Sequence, residues 1–168
     1  MEYPFRPIHI SRSHLMNLLH YDPLTGEFTW ISPPKNHPRM LGKAAGCNST
    51  GYTLIRIEGV KYKAHRLAWL YARGADPKFR IDHKDGNTFN NAISNLRPAT
   101  QAQNCANAQR WAGKLLPKGV RRNGSGFTAR IRFRKRLITI GTFPNPEVAA
   151  DAYFEAAKKL CGEFARKA

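Results

Sequence analysis

One stretch of this 168-residue chain gathers side chains that could do chemistry: IDHKDGNTFNNAISNLRPATQAQN, residues 81–104. It begins with the pair Asp82-His83 and contains five asparagines, of which Asn104 is the last. An imidazole with an ordinary pKa of ~6.5 can take a proton from water at neutral pH. Carboxylate and amide oxygens are the ligands that hard divalent cations such as Mg²⁺ prefer. These residue types therefore suit metal-assisted proton transfer, provided that the fold brings them together.

The pattern around these side chains predicts a strand, a long turn, a second strand and a helix. Residues 81–83 indicate a short strand, and Asp85-Gly86 is a strong turn signal. Thr100 followed by Gln103 matches a capping box, which predicts a helix that begins just after Thr100. In this order the first strand carries the carboxylate and the imidazole, and the helix carries an amide oxygen.

The preceding residues predict further small elements with apolar positions at helical or alternating spacing. A β-hairpin should turn at Glu58-Gly59, and a helix should be closed by Gly74. The predicted elements are a helix at 11–20, a strand at 25–31, the hairpin at 51–64 and a helix at 65–74.

Residues 65–104, from HRLAW to QN, resemble the HNH endonucleases of the phage and intron-encoded homing branch. The HNH motif folds as a ββα-metal unit, and here it would run from Asp82 to Asn104. Asparagine replaces the literal final histidine. The resemblance implies that Asp82 and Asn104 bind one divalent metal ion, Mg²⁺ or Mn²⁺. It also implies that His83 is the general base and that Asn95 holds the loop and orients His83.

The other residues of this stretch have less specific expectations. Neighbours on a regular strand point to opposite faces, so Asp82 and His83 can share a site only if the strand ends or bends there. An isolated Asp-His pair is usually a surface feature, so the prediction depends on the whole spaced pattern. His65 is expected to be a capping or supporting residue rather than a ligand. Three further asparagines should stabilise the turn through side-chain-to-backbone bonds: Asn87, Asn90 and Asn91.

The composition limits the possible partners and compartments. A formal net charge of +17 and a pI of about 10.4 point to a polyanionic partner. The three cysteines are far apart, which argues against a disulfide framework and a structural zinc site. No apolar run approaches the ~20 residues of a membrane helix, and the N-terminus has no signal pattern. We therefore expect no membrane contact and a cytoplasmic location in a bacterial or phage-infected host cell.

The basic charge is unevenly distributed along the chain. Residues 1–109 carry 14 Lys/Arg and 7 Asp/Glu, whereas residues 110–168 carry 14 and 4. A glycine and a proline punctuate a basic connector between the two parts. We predict one domain at 1–109 that contains the HNH motif, a connector at 110–117 and a second domain at 118–168.

The second part predicts a three-stranded antiparallel sheet packed on one helix. In residues 127–133, FTARIRF, apolar side chains alternate with threonine and arginine. Residues 134–136 form a tight basic turn, and residues 137–143 return as the next strand. A helix should follow between its cap Asn145 and Gly162. One face of such a sheet would stay open and basic, and a β-sheet can enter the major groove of DNA.

Residues 118–164 also resemble the plant ethylene-response-factor (APETALA type) DNA-binding domain, through GVRR, FTARIR, IGTF and EVAADAYFEAAKKLCGEF. The turn after GVRR is shorter than in that family and lacks tryptophan, and Thr139 stands where the family usually has a tryptophan. Base preference therefore does not carry over. The resemblance places Arg121, Arg130 and Arg132 at the groove. The residues expected to contact double-stranded DNA are Lys118, Arg121, Arg122, Arg130, Arg132, Arg134, Lys135 and Arg136.

Together these features predict an α+β protein: an N-terminal ββα-metal HNH nuclease joined to a three-stranded antiparallel sheet packed on one helix. We expect a metal-dependent endonuclease that acts on double-stranded DNA as a monomer and nicks one strand. A non-catalytic, sequence-specific DNA-binding regulator is one alternative. An RNA-binding or RNA-cleaving protein is another, less favoured because few aromatic side chains interleave the basic face.

Overall fold

The computed structural model describes residues 7–108, 115–134 and 136–166. Across those ranges the protein has a mixed α/β architecture with four α-helices and four small sheets. The chain divides into two compact units, Met1–Pro98 and Ala99–Ala168. Within the described residues, no helix is long and apolar enough to cross a membrane.

Unit 1 is built from two helices and short strands, the last of which ends at the unit boundary. In its sheets β1 pairs with β2, β4 lies between β3 and β5 and pairs with both, and β6 pairs with β7. The predicted hairpin is confirmed, with Glu58 and Gly59 at the turn. The elements are α1 (Arg12–Leu18), β1 (Leu19–Tyr21), β2 (Phe28–Trp30), β3 (Cys47–Ser49), β4 (Tyr52–Ile57), β5 (Val60–Lys63), α2 (Ala64–Arg73), β6 (Arg80–His83) and β7 (Leu96–Ala99).

The core of unit 1 brings α1, α2 and the inner face of β4 together. Leu15, Leu19, Ile55 and Leu67 are completely buried, and each contributes about 1.5–3 kcal/mol of burial free energy. The helix predicted to reach residue 20 ends earlier, because Leu19 begins β1 and lies opposite Trp30 of β2. Burial of Leu19 in that pair outweighs its helical spacing.

The β1–β2 hairpin packs directly against the asparagine-rich loop that joins β6 to β7. The Tyr21 hydroxyl donates a 2.8 Å hydrogen bond to the backbone oxygen of Asn91. Gly26 has a φ of +80°, and a Cβ there would lie 2.2 Å from the backbone nitrogen of Ala92. Only glycine permits so close an approach, so this hairpin fixes the loop from outside.

Unit 2 contains the remaining helices and a three-stranded antiparallel sheet in the order β8-β9-β10. The capping box is confirmed, because Thr100 Oγ1 accepts from the Gln103 backbone and Gln103 Oε1 accepts from the Thr100 backbone. The predicted sheet on one helix is confirmed as well. The elements are α3 (Gln101–Asn107), β8 (Val120–Asn123), β9 (Gly126–Phe133), β10 (Arg136–Phe143) and α4 (Pro146–Cys161).

Small side chains let α4 lie close to the inner face of this sheet. Ala129 of β9 and Ala149 of α4 are both completely buried. Gly119 precedes β8 with a φ of +75°, and a Cβ there would lie 2.1 Å from the ring of Tyr153. The alanines and this glycine therefore set the distance between helix and sheet.

The boundary between the units falls before α3, whereas the sequence predicts a domain that extends to residue 109. In unit 2, Ala106 of α3 packs with Cys161 and Phe164. The ammonium of Lys118 donates to the backbone oxygens of Ala106 and Ala108, at 2.7 and 2.8 Å. These contacts attach α3 to α4. The functional domain bounds stay a prediction, and residues 109–114 lie outside the described residues.

Candidate functional site

Asp82 lies near the end of β6 and is 3% exposed. Its Oδ2 accepts a 2.9 Å hydrogen bond from Nε of Arg97 on the paired strand β7. An unpaired buried charge is strongly destabilising, so a buried carboxylate needs such a cation. The β6–β7 pairing therefore holds Asp82 in a fixed, charge-compensated position.

His83 is the last residue of β6 and is 4% exposed. Its Nε2 lies 3.4 Å from Oδ1 of Asn91. The Asn91 side chain is oriented by its own Nδ2, which donates a 3.0 Å hydrogen bond to the backbone oxygen of Phe89. Because an amide oxygen can only accept, Asn91 stabilises the forms of His83 that carry a hydrogen on Nε2. These include the imidazolium that forms when the ring has taken up a proton.

Two further rings surround His83. His65 of α2 is perpendicular to it, with ring centroids 5.1 Å apart, and is 7% exposed. Tyr52 of β4 lies 5.3 Å from the His65 ring and 6.4 Å from the His83 ring. This aromatic packing restricts the rotation of both imidazoles.

Burial makes both histidines weak bases. Burial lowers the pKa of His83 below its ordinary 6.5, while the hydrogen bond to Asn91 and the carboxylates of Asp85 and Asp82 partly raise it. Burial and the neighbouring His83 hold the pKa of His65 well below its usual range. Both rings are therefore neutral at neutral pH, and a neutral imidazole is the form that can accept a proton.

Asn95 cross-links the two ends of the loop. Its Nδ2 donates to Oδ1 of Asp85 at 3.0 Å and to the backbone oxygen of Asn90 at 2.8 Å. Its Oδ1 accepts from the Asp85 backbone at 3.0 Å. Asp85 also accepts from the Asn90 side chain and the Asn87 backbone, both at 2.8 Å. The side-chain-to-backbone bonds predicted for the turn are also present: Asn87 Oδ1 accepts from the Phe89 N–H, and Asn90 Oδ1 accepts from the Ala92 N–H.

Unit 1 brings together three of the four predicted metal and catalytic residues. Asp82 and His83 contact different partners, as the alternation of a strand requires. Asp82 nevertheless raises the pKa of His83, so the two groups lie within electrostatic reach. The side chain of Asn95 is engaged in loop contacts, and its orientation of His83 stays a prediction.

Asn104, the fourth predicted residue, lies within α3 of unit 2. Its backbone N–H donates to Thr100 and its backbone oxygen accepts from Ala108. The side chain is half-buried. Its predicted place beside Asp82 in a metal site stays a prediction.

The donor set restricts which metal ion would fit. In the part of the chain that the structure describes, no group of three or more His, Cys, Asp or Glu side chains could hold a metal. The predicted set of one carboxylate and one amide oxygen is smaller. It suits a hard cation such as Mg²⁺, which keeps several waters and uses few protein ligands.

Sequence reasoning missed two contacts of the site. The sequence pattern does not identify Arg97 as the partner of Asp82, because an arginine beside an apolar residue in a strand more often faces solvent. Asn91 was expected only to stabilise the turn, yet its Oδ1 faces His83. No local pattern separates Asn91 from its neighbour Asn90, since only the folded loop decides which amide reaches the ring.

The basic residues of unit 2 occupy both faces of its sheet. Arg121 lies opposite Thr128, and Arg130 lies opposite Thr139. Since alternate residues of β9 share a face, Arg121, Arg130 and Arg132 lie on the face away from α4. Nε of Arg130 is buried and has no hydrogen-bond partner among the described residues. The exposed arginines of this outer face are Arg121 and Arg132.

The other basic residues predicted to contact DNA have different positions. Arg122 lies opposite Phe127, on the opposite face from Arg121, and Lys118 is engaged with the end of α3. The guanidinium of Arg134 lies 5.3 Å from the centre of the Phe133 ring. Arg136 is exposed at the start of β10. Lys135 lies outside the described residues.

Comparisons with known proteins identify the family. The family model described as HNH endonuclease matches residues 62–106, which include α2, β6, the asparagine-rich loop, β7 and most of α3. A protein of Acanthamoeba polyphaga mimivirus named as an uncharacterized HNH endonuclease is 36% identical over 146 residues. That match covers 85% of this chain and 68% of the viral protein, and it therefore extends into unit 2. No solved structure matches the chain. The chain belongs to the HNH endonuclease family and is a nuclease.

Proposed function

We propose that this nuclease is a metal-dependent endonuclease that hydrolyses phosphodiester bonds in double-stranded DNA. The observation that carries the proposal is the buried Asp82-His83 pair at the end of β6, inside the family match. The net charge of +17 suits a polyanionic substrate. The expected setting is the cytoplasm of a bacterial or phage-infected host cell.

In this proposal His83 is the general base. It accepts a proton from the water that attacks phosphorus. The bond between phosphorus and the 3′ oxygen breaks and the 3′ oxygen takes a proton from solvent, which leaves a 5′-phosphate and a 3′-hydroxyl. The imidazolium that results is stabilised by Oδ1 of Asn91 and by the carboxylates of Asp82 and Asp85. The neutral resting state follows from burial of the ring.

Asp82 and Asn104 are the residues that would hold one Mg²⁺ or Mn²⁺ ion. The ion would stabilise negative charge on the phosphate and the leaving oxygen. A carboxylate has several lone pairs and can accept more than one partner, so the bond from Arg97 is compatible with a ligand role for Asp82. Asn95 acts indirectly, because it fixes the loop through Asp85 and Asn90.

The pH dependence of cleavage should report the buried state of His83. Since the neutral ring is the active base, activity rises with pH through the pKa of His83. The acidic limb of kcat/KM should therefore have its midpoint below the ordinary value of 6.5. Asn91→Ala removes an acceptor that raises this pKa and should move the limb to lower pH. Asn91→Asp adds a carboxylate and should move it to higher pH.

Initial rates on a plasmid substrate across pH 4.5–9 measure this limb, which is roughly the range where imidazole titrates. Circular dichroism at each pH shows whether the variants remain folded. If the acidic limb has the same midpoint in wild type and in both Asn91 variants, the pKa observed in the rate profile does not belong to His83.

We further propose that the outer face of the unit 2 sheet binds the duplex. Arg121, Arg130 and Arg132 share this face, and the side chains of Arg121 and Arg132 are exposed on it. Phosphate oxygens and guanine edges are acceptors that arginine binds well. The match to the viral relative extends into this unit, so the two proteins share more than the nuclease motif.

The double variant R121Q/R132Q should bind DNA more weakly and with a shallower salt dependence. Each phosphate that is no longer neutralised should reduce the slope of log affinity against log salt by roughly 0.9. Fluorescence anisotropy with a labelled duplex, at several salt concentrations and without divalent metal, measures both quantities. A truncation that removes the sheet also removes Cys161 and Phe164, against which α3 packs. Such a truncation would therefore disturb α3 as well as DNA binding, and point substitutions are more informative.

Arg122→Gln is the matched control for that experiment. It removes the same charge from the same strand, but Arg122 lies on the opposite face of the sheet. The expected decrease in affinity is smaller than that of either outer-face substitution made singly. Equal decreases for Arg121→Gln and Arg122→Gln would show that the charge matters and the face does not.

Cleavage should proceed by nicking. The chain has one Asp82-His83 pair, and one such pair attacks one phosphodiester at a time. We expect the protein to act as a monomer whose two predicted domains, 1–109 and 118–168, make asymmetric contacts along the duplex. With limiting enzyme, Mg²⁺ and supercoiled plasmid, a nicked circle should accumulate before linear DNA on an agarose gel. Linear product from the first time points, without a nicked precursor, would indicate two coupled active sites.

A further inference from the structure

Lys63 lies near the two packed imidazole rings of unit 1, His65 and His83. It is the last residue of β5, and its Nζ lies 3.9 Å from the centre of the Tyr52 ring. The same Tyr52 ring neighbours both His65 and His83. The ammonium is close enough to lower the pKa of each histidine. The positive charge of Lys63 therefore affects His83, the proposed general base.

Two arginines lie within electrostatic reach of the Lys63 ammonium. Among the described residues, Lys63 forms no ion pair, whereas nearby Arg66 is paired with Asp76 at 2.8 Å. Partial desolvation lowers the pKa of Lys63, and the positive charges of Arg66 and Arg80 lower it further. An anion that binds beside Lys63 would offset the repulsion between these positive charges. In a nuclease, the anion that reaches this position is a phosphate group of the substrate.

The contact with Tyr52 does not by itself account for this placement. A cation–π contact at an exposed position contributes about 0.5–1 kcal/mol. Lys63 also occupies the N-cap position of α2, but its side chain makes no capping hydrogen bond there. An ammonium has no acceptor and cannot cap the N–H groups of a helix. Neither contact requires a positive charge beside the histidines.

We propose that Lys63 is a catalytic residue that binds a non-bridging oxygen of the phosphate under attack. This inference rests on the proposed function. Negative charge on the phosphate oxygens grows as water adds to phosphorus, so a fixed ammonium stabilises the transition state more than the ground state. The attacking water gives its proton to His83, and no bond to Lys63 forms or breaks. The Tyr52 ring supports the ammonium while the substrate is absent.

The test compares wild type, K63M, K63R and K61M. Lys61 is a matched control, because it is an exposed lysine on the same strand and, two residues away, on the same face. Single-turnover cleavage of a duplex by excess enzyme gives the rate of the chemical step. Anisotropy without divalent metal gives the affinity for the same duplex.

K63M should slow the chemical step by about 100-fold, as the loss of one transition-state donor does in other enzymes. Its duplex affinity should change little, K63R should recover much of the rate, and K61M should cleave like wild type. Y52L should show a smaller decrease than K63M, and it provides a second variant if K63M does not fold. K63M cleaving at the wild-type rate, whatever its affinity, would overturn the inference. If wild type itself fails to cleave, the proposed function fails instead.

Discussion

His83→Ala should lower DNA cleavage by about 10²–10⁴-fold, the usual contribution of a positioned general base. The ring is buried at the end of β6 and faces Asn91, with a pKa held below its ordinary value by burial. Alanine leaves the attacking water without a proton acceptor. Because the ring is neutral at neutral pH, it adds no charge that would attract phosphate. Duplex binding should therefore remain close to that of wild type.

The comparison needs a histidine that lies away from the site. His14 is exposed and contacts Glu58 at 2.8 Å, so His14→Ala is a suitable control and should cleave normally. Asp82→Ala should also lower activity, because it weakens metal binding. Raising the Mg²⁺ concentration should then recover part of the activity in Asp82→Ala and none in His83→Ala. Cleavage by His83→Ala at the wild-type rate would show that His83 is not the general base.

Arg97→Met should destabilise the protein by about 3–5 kcal/mol, because it removes the cation that is paired with the buried Asp82 carboxylate. The side chains of this ion pair are only 10% and 4% exposed. Methionine fills similar volume, so the decrease reports charge rather than packing. Urea unfolding followed by tryptophan fluorescence gives the free energy of unfolding.

Two further variants separate charge from size. Arg66→Met breaks a more exposed pair, with side chains 15% and 27% exposed, and should cost about 1 kcal/mol or less. The double variant R97M/D82N removes both buried charges and should be more stable than R97M alone. If R97M and R66M are destabilised equally, burial of the Arg97–Asp82 pair does not increase the cost of removing its cation.

Features with a local cause were predictable from the sequence. The Glu58-Gly59 turn, the Thr100–Gln103 capping box and the alternating strand that becomes β9 each depend on residues a few positions apart. The position of Asp82-His83 at a strand end also followed from the turn signal behind it. These elements formed as predicted because no distant contact opposed their local preference.

Features with a distant cause were not predictable. Leu19 lies outside the expected helix because it pairs with Trp30 of β2. Arg97 contacts Asp82 from fifteen positions along the sequence. Asn91 rather than Asn90 contacts His83 because of the conformation of the loop, against which Tyr21 and Gly26 pack. The ammonium of Lys118 donates to the carbonyls at the end of α3, which no local pattern indicates, and its contact with DNA stays a prediction.

The most direct test of the central claim is a set of four reactions on supercoiled plasmid. Wild type and His83→Ala are each incubated with Mg²⁺ and with an excess of EDTA, at equal concentrations of folded protein. We expect nicked circles with wild type and Mg²⁺ alone, with ends that carry a 5′-phosphate. Nicking by His83→Ala at the wild-type rate, or by wild type in EDTA, would contradict the assignment of a metal-assisted histidine base at the end of β6.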